Sequence, residues 1–498
     1  MHFVSFGISV RHRVISLIAI SAISSLGLGQ LRVATWNVTN FGSTASTARQ
    51  NAFRTAIFGS FEGRSMNPDI LIAQEINGSA GATAFLNMLN SAPGQSGQWA
   101  MNPFSDVGDS DTVFYYRTNK IDYTGLANIA GDPRDTQRYD FKLKGYDAGS
   151  TTNPLVSLYS SHLKAGTDPN GEDAQRRRTE TRNIRTDSAI QSSNGRHILI
   201  GGDFNVSRSS DLGMKQLTDA SITNNAGQTV TGGRFFDPIN SSFTSGGAAI
   251  TWQDNNAYRH LHTQDPYGSG GMDDRMDFIL FGQTLRDGKG LEYVGSATAA
   301  YGPTWNDPNH SYRVWGNDGQ QSVGGTMTLT NNQMVGTTIA NAIKDSIGNT
   351  GPTVTGGHLP IFLDVKVPAD LKVAEASLNF GTALLGDVAQ QSVNISNAVN
   401  TALFGVNGVQ SSTFSLSLSG TGFTLPSGGT VAAGSSIARM ISMDTSTTGI
   451  RNAILQITDT ATGQMRTVNL SGIVAVPEPA TMAALGLGLV GLLRRKRK

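Results

Sequence analysis

Residues 197–205, His-Ile-Leu-Ile-Gly-Gly-Asp-Phe-Asn, form the stretch that decides the fold of this chain. The run Ile198-Leu199-Ile200 is short, apolar and typical of a buried strand. The two glycines after it let the backbone approach other groups closely, and Asp203 and Asn205 share one side if the chain stays extended. An Asx turn is the competing interpretation. The stretch predicts a buried strand ending in Asp203, suited to hold water or a cation, and Asn205, suited to bind a phosphate oxygen.

Five further motifs repeat this design, an apolar stretch with a polar residue at its end. In chain order they are Thr35-Trp36-Asn37, Gln74-Glu75, Ser161-His162-Leu163, Arg275-Met276-Asp277-Phe278 and His358-Leu359-Pro360. Together the six motifs suggest one active site, built by strand ends and loops and equipped to cut phosphate esters. Such a reaction needs a positioned cation, a base for the water and donors for the charge on the phosphate oxygens.

Glu75 and Asn37 are the candidate metal ligands on the first two strands, together with Asp203. Mg²⁺ favours one or two carboxylates plus water and phosphate, and Glu75 closes an apolar run that begins at Asp69. Asn37 could support the same ion through its amide oxygen. Taken alone, Glu75 is equally an exposed strand-end carboxylate, and Asn37 is equally a turn residue.

His162 and His358 stand at strand termini and suit general acid–base work near neutral pH. A single histidine in such a place is more often structural. Asp277 lies amid apolar strand residues and needs a partner if it is buried, for which His358 is the obvious candidate.

Strands and helices alternate from Leu31 to about Val367, which predicts an α/β layered domain. The predicted strands are residues 31–37, 70–74, 112–116, 155–160, 197–201, 276–281 and 359–365. The predicted helices are residues 47–58, 82–89 and 173–191. Residues 307–355 are polar and rich in Gly and Asn, which favours a long insertion that acts as a lid or substrate loop.

The composition changes after Pro368. Residues 371–474 hold short alternating stretches separated by turn signals, which predicts a small antiparallel β-sandwich. Leu378-Asn379-Phe380-Gly381 and Val393-Asn394-Ile395 resemble immunoglobulin-like modules of the choice-of-anchor kind. We expect this module to act as a spacer or in adhesion.

The six motifs together resemble the endonuclease/exonuclease/phosphatase superfamily, across roughly residues 31–368. The resemblance implies an α/β (α+β) fold, the four-layered α-β-β-α sandwich of DNase I-like type, here followed by the immunoglobulin-like sandwich. It implies that Glu75 binds Mg²⁺ (or Mn²⁺ or Ca²⁺) with help from Asn37, and that Asp203 and Asn205 position water and phosphate. By the same resemblance His358 is the general base oriented by Asp277, His162 binds the phosphate or protonates the leaving oxygen, and Arg138 contacts the phosphate.

One position departs from the family pattern. The family usually has Asp immediately before the last His, whereas this chain has Gly356-Gly357-His358. The departure leaves open the number of metal ions and whether activity is full. Asp273 or Asp274 could compensate.

Both ends of the chain look like sorting signals. Arg11 and Arg13 precede an apolar run over residues 14–28, which predicts a signal peptide over residues 1–30 rather than a buried first helix. Residues 475–498 hold Val-Pro-Glu-Pro, an apolar run and a basic tail, and they resemble the PEP-CTERM sorting signal of Gram-negative bacteria. That resemblance implies export to the envelope, cell surface or medium, transient membrane contact and processing by an exosortase-type enzyme. A plain C-terminal membrane anchor is the alternative.

The net charge of +1 gives no global reason to bind a polyanion, and with no cysteine the exported chain must rely on packed cores. The arginines at 176–178, 182 and 185 could face a nucleic-acid backbone, although a solvated helix face is the more common outcome. The patterns expected of inositol phosphatases are only echoed at Asn205 and Arg275. We therefore favour an extracellular nuclease, with a lipid or sugar phosphodiesterase, or a surface-binding protein that lost turnover, as alternatives.

Overall fold

A computed structural model describes residues 30–166, 168–239, 250–268, 270–347, 357–476 and 486–491. The predicted signal peptide, apart from Gln30, and most of the predicted sorting segment lie outside these residues. Within the described ranges, no helix combines the length and the apolar character needed to cross a membrane.

Up to Lys366, the described residues form fifteen strands and five α-helices, besides two short 3-10 helices at Asn256–Leu261 and Gln283–Leu285. In chain order they are β1 (Leu31–Phe41), α1 (Thr47–Phe58), β2 (Ile70–Ile76), α2 (Gly78–Asn90), β3 (Trp99–Met101), β4 (Asp111–Arg117), β5 (Ile121–Ile129), β6 (Thr136–Leu143), β7 (Leu155–His162), α3 (Glu172–Ser193), β8 (His197–Asp203), α4 (Leu212–Thr218), β9 (Ile222–Thr223), β10 (Thr229–Val230), β11 (Phe235–Phe236), β12 (Asp277–Gly282), β13 (Glu292–Tyr293), β14 (Arg313–Val314), α5 (Gly336–Ser346) and β15 (Ile361–Lys366).

Two sheets pack face to face in this part of the chain. The first has the order β13-β15-β1-β2-β4-β3 with β14 also on β15, and the second has the order β11-β12-β8-β7-β6-β5. Helices α1, α2 and α5 lie outside the first sheet, and α3 and α4 lie outside the second. The central strands are therefore covered on both faces, which is why they are continuous apolar runs rather than alternating ones. The predicted α-β-β-α sandwich is confirmed.

Strand direction brings the ends of the motif strands to one edge. β1 runs parallel to β2, with Asn37 opposite Gln74, and β7 runs parallel to β8, with His162 opposite Asp203. The carboxyl ends of these four strands, together with the start of β12, therefore line the same end of the sandwich.

The predicted lid differs from the structure over its described part, residues 307–347. Tyr312, Trp315 and Ile339 are buried in the main core, β14 extends the first sheet, and α5 packs against α1. Sparse but regularly buried apolar residues make this segment part of the core, despite its polar average composition.

The last described part is a second, strand-rich unit. Its elements are β16 (Leu371–Val373), β17 (Ser377–Leu384), β18 (Ala389–Asn397), α6 (Thr401–Phe404), β19 (Ser412–Thr421), β20 (Gly429–Val431), β21 (Ser436–Met443), β22 (Gly449–Asp459) and β23 (Met465–Ala475). They form two sheets, β16-β18-β21 and β17-β23-β22-β19-β20, in which only the described pair β17–β23 is parallel. Phe404 and Val409 join the main core of the preceding part, so the two parts share packing and the domain boundaries stay a prediction.

Candidate active site

Sheet register places three of the predicted residues side by side on the second sheet. Asp203, the last residue of β8, lies opposite His162 of β7 on one side and opposite Asp277 of β12 on the other. The three side chains therefore start from one row at the edge of the sheet.

Gly202 makes this row possible. It has φ +139°, and a Cβ added there would lie 1.8 Å from the carbonyl oxygen of Ser161. Any side chain would push β8 away from β7 next to Asp203. The glycine therefore serves the close backbone approach that the motif predicted.

Asn37 and Glu75 face this row from the first sheet. Glu75 has φ 59° at an irregularity in the pairing of β2 with β4, and its side chain turns toward Asn37. The amide nitrogen of Asn37 donates to Oε1 of Glu75 at 2.9 Å and to Oδ2 of Asp203 at 3.1 Å. The other oxygen of Glu75 accepts the Asn40 N–H at 3.0 Å. Asn37 thus links the carboxylates of the two sheets.

His358 reaches the same cluster from the loop before β15. Its carbonyl oxygen accepts the indole N–H of Trp36 at 2.8 Å, and its backbone forms a bridge with Gln264. Its Nδ1 lies 2.7 Å from Oδ2 of Asp277. The expected pairing of Asp277 with His358 is present in the geometry.

The carboxylate of Asp203 is the centre of the cluster. Its Oδ2 lies 3.5 Å from Nε2 of His162 and 3.7 Å from Nε2 of His358. Its Oδ1 accepts the backbone N–H of Asn205 at 3.0 Å, and the amide nitrogen of Asn205 donates to the Leu163 carbonyl. One buried carboxylate therefore stands between two imidazoles.

The two imidazoles have opposite electrostatic environments. Burial lowers the pKa of His162 to about 4, and the nearby Asp203 only partly offsets this. Burial also opposes the charged form of His358, but the carboxylates of Asp277 and Asp203 outweigh it and raise its pKa to about 10. Burial raises the pKa of Asp203 as well. Near neutral pH, His162 is neutral and His358 carries a proton.

The carboxylate of Glu75 has the chemistry that a hard divalent cation prefers. Mg²⁺ needs only one or two carboxylates, and Glu75 is half-buried at the edge of the cluster, with Asp203 held beside it through Asn37. The amide oxygen of Asn37 accepts the Thr39 N–H at 3.0 Å, so its nitrogen, not its oxygen, faces the carboxylates. Among the described residues, no group of three or more His, Cys, Asp or Glu side chains has metal-binding geometry.

The structure does not bring Arg138 to this cluster. Its guanidinium lies between β6 and α3, where it pairs with Asp187 at 2.7 Å and with Asp140 at 3.1 Å. Two of the five arginines of α3 are committed internally: Arg177 is fully buried against Asp211, and Arg185 donates to backbone carbonyls that include those of Gly232 and Gln216. Arg176 pairs with Asp132 at the surface, and Arg178 and Arg182 are half-buried.

Gly357 has a conformational reason to be glycine. Its φ is +104°, and an added Cβ would lie 3.0 Å from Ile347. The carboxylate nearest to Nε2 of His358 on the second sheet is that of Asp203, whose Oδ2 lies 3.7 Å away. Asp274, one of the two acids expected to compensate, is buried on the neighbouring segment, where burial and then the carboxylates of Asp273, Asp254 and Asp265 raise its pKa to about 7.

Several residues that support the site were missed from the sequence. Arg134 donates to the carbonyls of His162 at 2.9 Å and Leu163 at 3.1 Å, and the hydroxyl of Thr263 accepts the N–H of Asp277 at 3.2 Å. Beneath the site, Gln74 joins the two sheets through Ser160 at 3.2 Å. Of these residues, only Gln74 belongs to a motif recognised in the sequence. Arg134 and Thr263 act through hydrogen bonds to the backbone, which leave no local sequence pattern.

Two family models match this chain. The model of the Endonuclease/Exonuclease/phosphatase family matches residues 34–297, and that of the PEP-CTERM protein-sorting motif matches residues 475–498. A search of curated proteins found no match.

Several solved structures are similar. The human Nocturnin catalytic domain with bound sulfate is 12% identical, with a TM-score of 0.36, over 68% of this chain and 94% of that chain. An endonuclease/exonuclease/phosphatase family protein from Bacteroides thetaiotaomicron is 12% identical, with a TM-score of 0.34, over 68% and 97%. A PapD-like domain of human CEP192 is 13% identical, with a TM-score of 0.18, over 22% and 87%.

Proposed function

This chain belongs to the endonuclease/exonuclease/phosphatase family, whose members are phosphoester hydrolases, and from this premise we propose that it is an exported, metal-dependent phosphodiesterase acting on nucleic acid. The observation that carries the proposal is the buried cluster of His162, Asp203, Asp277 and His358, assembled from both sheets at one end of the sandwich.

The protonated His358 stabilises negative charge on the phosphate. Asp277 and Asp203 keep its imidazole cationic, so it is ready to donate to a phosphate oxygen without a prior change of protonation. The general-base role that the family resemblance implies for His358 stays the alternative, and it requires a neutral imidazole.

Asp203 is the group that takes the proton of the attacking water. Its carboxylate lies beside the imidazoles of His162 and His358, and burial raises its pKa, which brings its basicity closer to that of a general base at neutral pH. Asn205 and the neutral His162 flank it and orient the water and the leaving oxygen.

A divalent cation such as Mg²⁺, Mn²⁺ or Ca²⁺ would be held by Glu75, with Asn37 and Asp203 beside it, and would supply positive charge for the phosphate oxygens. The sorting motif indicates export and association with the cell envelope of a Gram-negative bacterium, and it implies processing by an exosortase. The proposed organisation is a signal peptide at 1–30, the hydrolase at 31–368, the module at 371–474 and the sorting segment at 475–498.

The test is hydrolysis of plasmid DNA and RNA by the mature protein with Mg²⁺ or Mn²⁺, beside a His358→Ala variant. We expect the wild type to cut and the variant to lose most of its activity. Equal residual cutting by both proteins would overturn the catalytic proposal and favour a surface-binding protein. Turnover of only lipid or sugar phosphodiesters would overturn the choice of nucleic acid while the hydrolase stands.

A further inference from the structure

The β-sandwich module is attached at the end of the hydrolase opposite to the active site. β15 starts near His358 and runs away from the site to Lys366, and the module follows directly. The hydroxyl of Tyr146 donates to the Pro368 carbonyl at 2.8 Å, and Lys372 pairs with Asp147 at 2.6 Å. These contacts hold the module against the end that is remote from the site.

Strand β23 carries the chain from this junction to the far pole of the module. Near its start, Gln464 donates to Asp370 at 2.8 Å, next to the junction. The 11 residues of β23 then rise about 35 Å, at roughly 3.3 Å per residue. Ala475, its last residue, therefore lies at the pole farthest from the hydrolase.

Apolar side chains are exposed together at this pole. Val388 is 85% exposed and Ile450 is 71% exposed. Backbone pairing joins them: Leu385 donates its N–H to the carbonyl of Ala475, Ile450 pairs with Ile473, and Val388 follows the turn that Asp387 closes on Leu384. We call these residues the distal apolar patch: Leu384, Leu385, Val388, Ile450, Ile473 and Val476.

The polar groups around the patch are turned toward their own backbone. Asp387 accepts the Leu384 N–H at 3.0 Å, and Asp444 accepts the Ser446 N–H at 2.9 Å. Arg451 donates to the carbonyl of Asp444 at 3.1 Å. The charged side chains near the pole are thereby partly occupied by local hydrogen bonds, and the exposed apolar side chains lie beside them.

The sorting segment indicates what covers this patch. It begins at residue 475, and only residues 476–479 separate β23 from the apolar run at 480–493. Four extended residues span at most about 14 Å. The polar headgroup layer alone takes about 5–8 Å on each side of a bilayer. While the run is inserted, before exosortase-type processing, the pole must lie against the lipid headgroups.

We propose that the distal apolar patch is a lipid-contacting surface, which seats the module on the bilayer while the active site faces away from it. Apolar side chains on an exposed turn enter the boundary between headgroups and acyl chains, whereas an uncovered patch of this kind is unusual on a monomer. The rigid module then holds the active site more than about 35 Å from the membrane. This inference rests on the sorting motif and not on the chemistry of the hydrolase.

The absence of cysteine from the sequence allows a direct test with single-cysteine variants of the full chain. Val388→Cys carries a fluorophore at the patch, and Ser411→Cys, exposed near the hydrolase junction, is the matched control. Both are inserted into vesicles of phosphatidylethanolamine with a minor share of phosphatidylglycerol and a nitroxide-labelled lipid. We expect roughly half or more of the fluorescence at position 388 to be quenched and almost none at position 411.

A second pair of variants separates patch contact from simple tethering. A label at Ser446→Cys, also at the pole, should be quenched in the native patch and should lose most of that quenching in Leu385→Asp/Val388→Asp. An unchanged thermal unfolding profile of that double variant shows that the module still folds. The proposal is overturned if the protein binds the vesicles and the label at position 388 is not quenched. It is also overturned if labels at position 388 quench one another equally strongly without lipid, because the patch would then bind a second copy of the chain.

Discussion

Nδ1 of His358 lies 2.7 Å from Oδ2 of Asp277, although the two residues are 81 positions apart in the sequence. Asp277 is fully buried, and its other oxygen has no hydrogen-bond partner among the described residues. The side-chain hydrogen bond that the structure shows for this carboxylate therefore goes to one imidazole. This pair decides the protonation state on which the proposed mechanism depends.

Asp277→Asn tests the pair. We expect the rate of phosphodiester hydrolysis to fall by about 100-fold to 10,000-fold, as is typical when a carboxylate that orients a catalytic histidine is lost. The pKa of His358 should fall, because the carboxylate that does most to raise it is removed while burial still lowers it. The alkaline limb of the pH–rate profile should therefore move to lower pH. Asp122→Asn, exposed on β5, is the matched control, and an unchanged profile in Asp277→Asn would contradict the assignment.

His162 can be compared with another histidine in the same electrostatic state. Burial lowers the pKa of both His162 and His197 to about 4, but His197 starts β8 at the opposite end of the strand and bonds Thr284 at 3.0 Å. We expect His162→Gln to lower the hydrolysis rate by about 100-fold or more, and His197→Gln to leave it within about twofold. Similar losses in both variants would mean that the effect comes from packing.

Glu75→Gln should weaken metal binding. The neutral amide keeps the shape of the side chain but loses the charge that a hard cation prefers. We expect the wild type to gain thermal stability when Mg²⁺ is added and Glu75→Gln to gain little, with a matching loss of Mg²⁺-stimulated hydrolysis. Glu62→Gln, exposed at the surface, is the control. An equal thermal shift in both variants would place the cation elsewhere.

Glu180 should make stability depend on pH. It is buried on α3, where its two oxygens accept the N–H groups of Asp132 at 3.0 Å and Lys164 at 3.3 Å, and burial outweighs these bonds and raises its pKa to about 7. Between its ordinary pKa and about 7 the folded state binds more protons than the unfolded state, so the free energy of unfolding falls as pH rises.

The check is the pH dependence of unfolding in wild type and Glu180→Gln. The slope between about pH 5 and pH 7 should differ by up to one proton, about 1.4 kcal/mol per pH unit, with the wild type losing more stability. Parallel slopes would show that the carboxylate is ionised throughout.

The motif strands were predictable because burial on both faces makes them apolar runs. All seven predicted strands and three predicted helices are present, with ends displaced by a few residues, as with β1, which continues to Phe41. β5 and β6 were missed because polar residues alternate along them. On β6, Tyr139 and Phe141 face the core while Arg138 and Asp140 face outward.

The same alternation explains why the position of Arg138 was not predicted. A strand has a side-chain period of two, so the face on which Arg138 lies depends on the register of β6 with β7, which its neighbours in the sequence do not reveal. The contact between His358 and Asp203 was equally hidden, because it joins two different sheets. The polar residues at the strand ends can be predicted from the local sequence. The protonation states of the site cannot, because they depend on which groups pack together in the folded chain.

Gly357→Asp should not improve the enzyme, although it restores the acid that the family usually has before the last histidine. The backbone at this position has φ +104°, which L residues rarely adopt, and a Cβ there would lie 3.0 Å from the nearest atoms of Ile347. The carbonyl of Gly357 also accepts the Asp265 N–H at 2.9 Å, so the loop cannot relax without disturbing the segment that pairs with His358. We expect a loss of about 1–3 kcal/mol in the free energy of unfolding and lower hydrolysis. Gly357→Ala is the control that separates backbone strain from the added charge, and it should lose a similar amount of stability. A Gly357→Asp variant that is more active and equally stable would contradict this prediction, because it would show that the site needs an acid at this position.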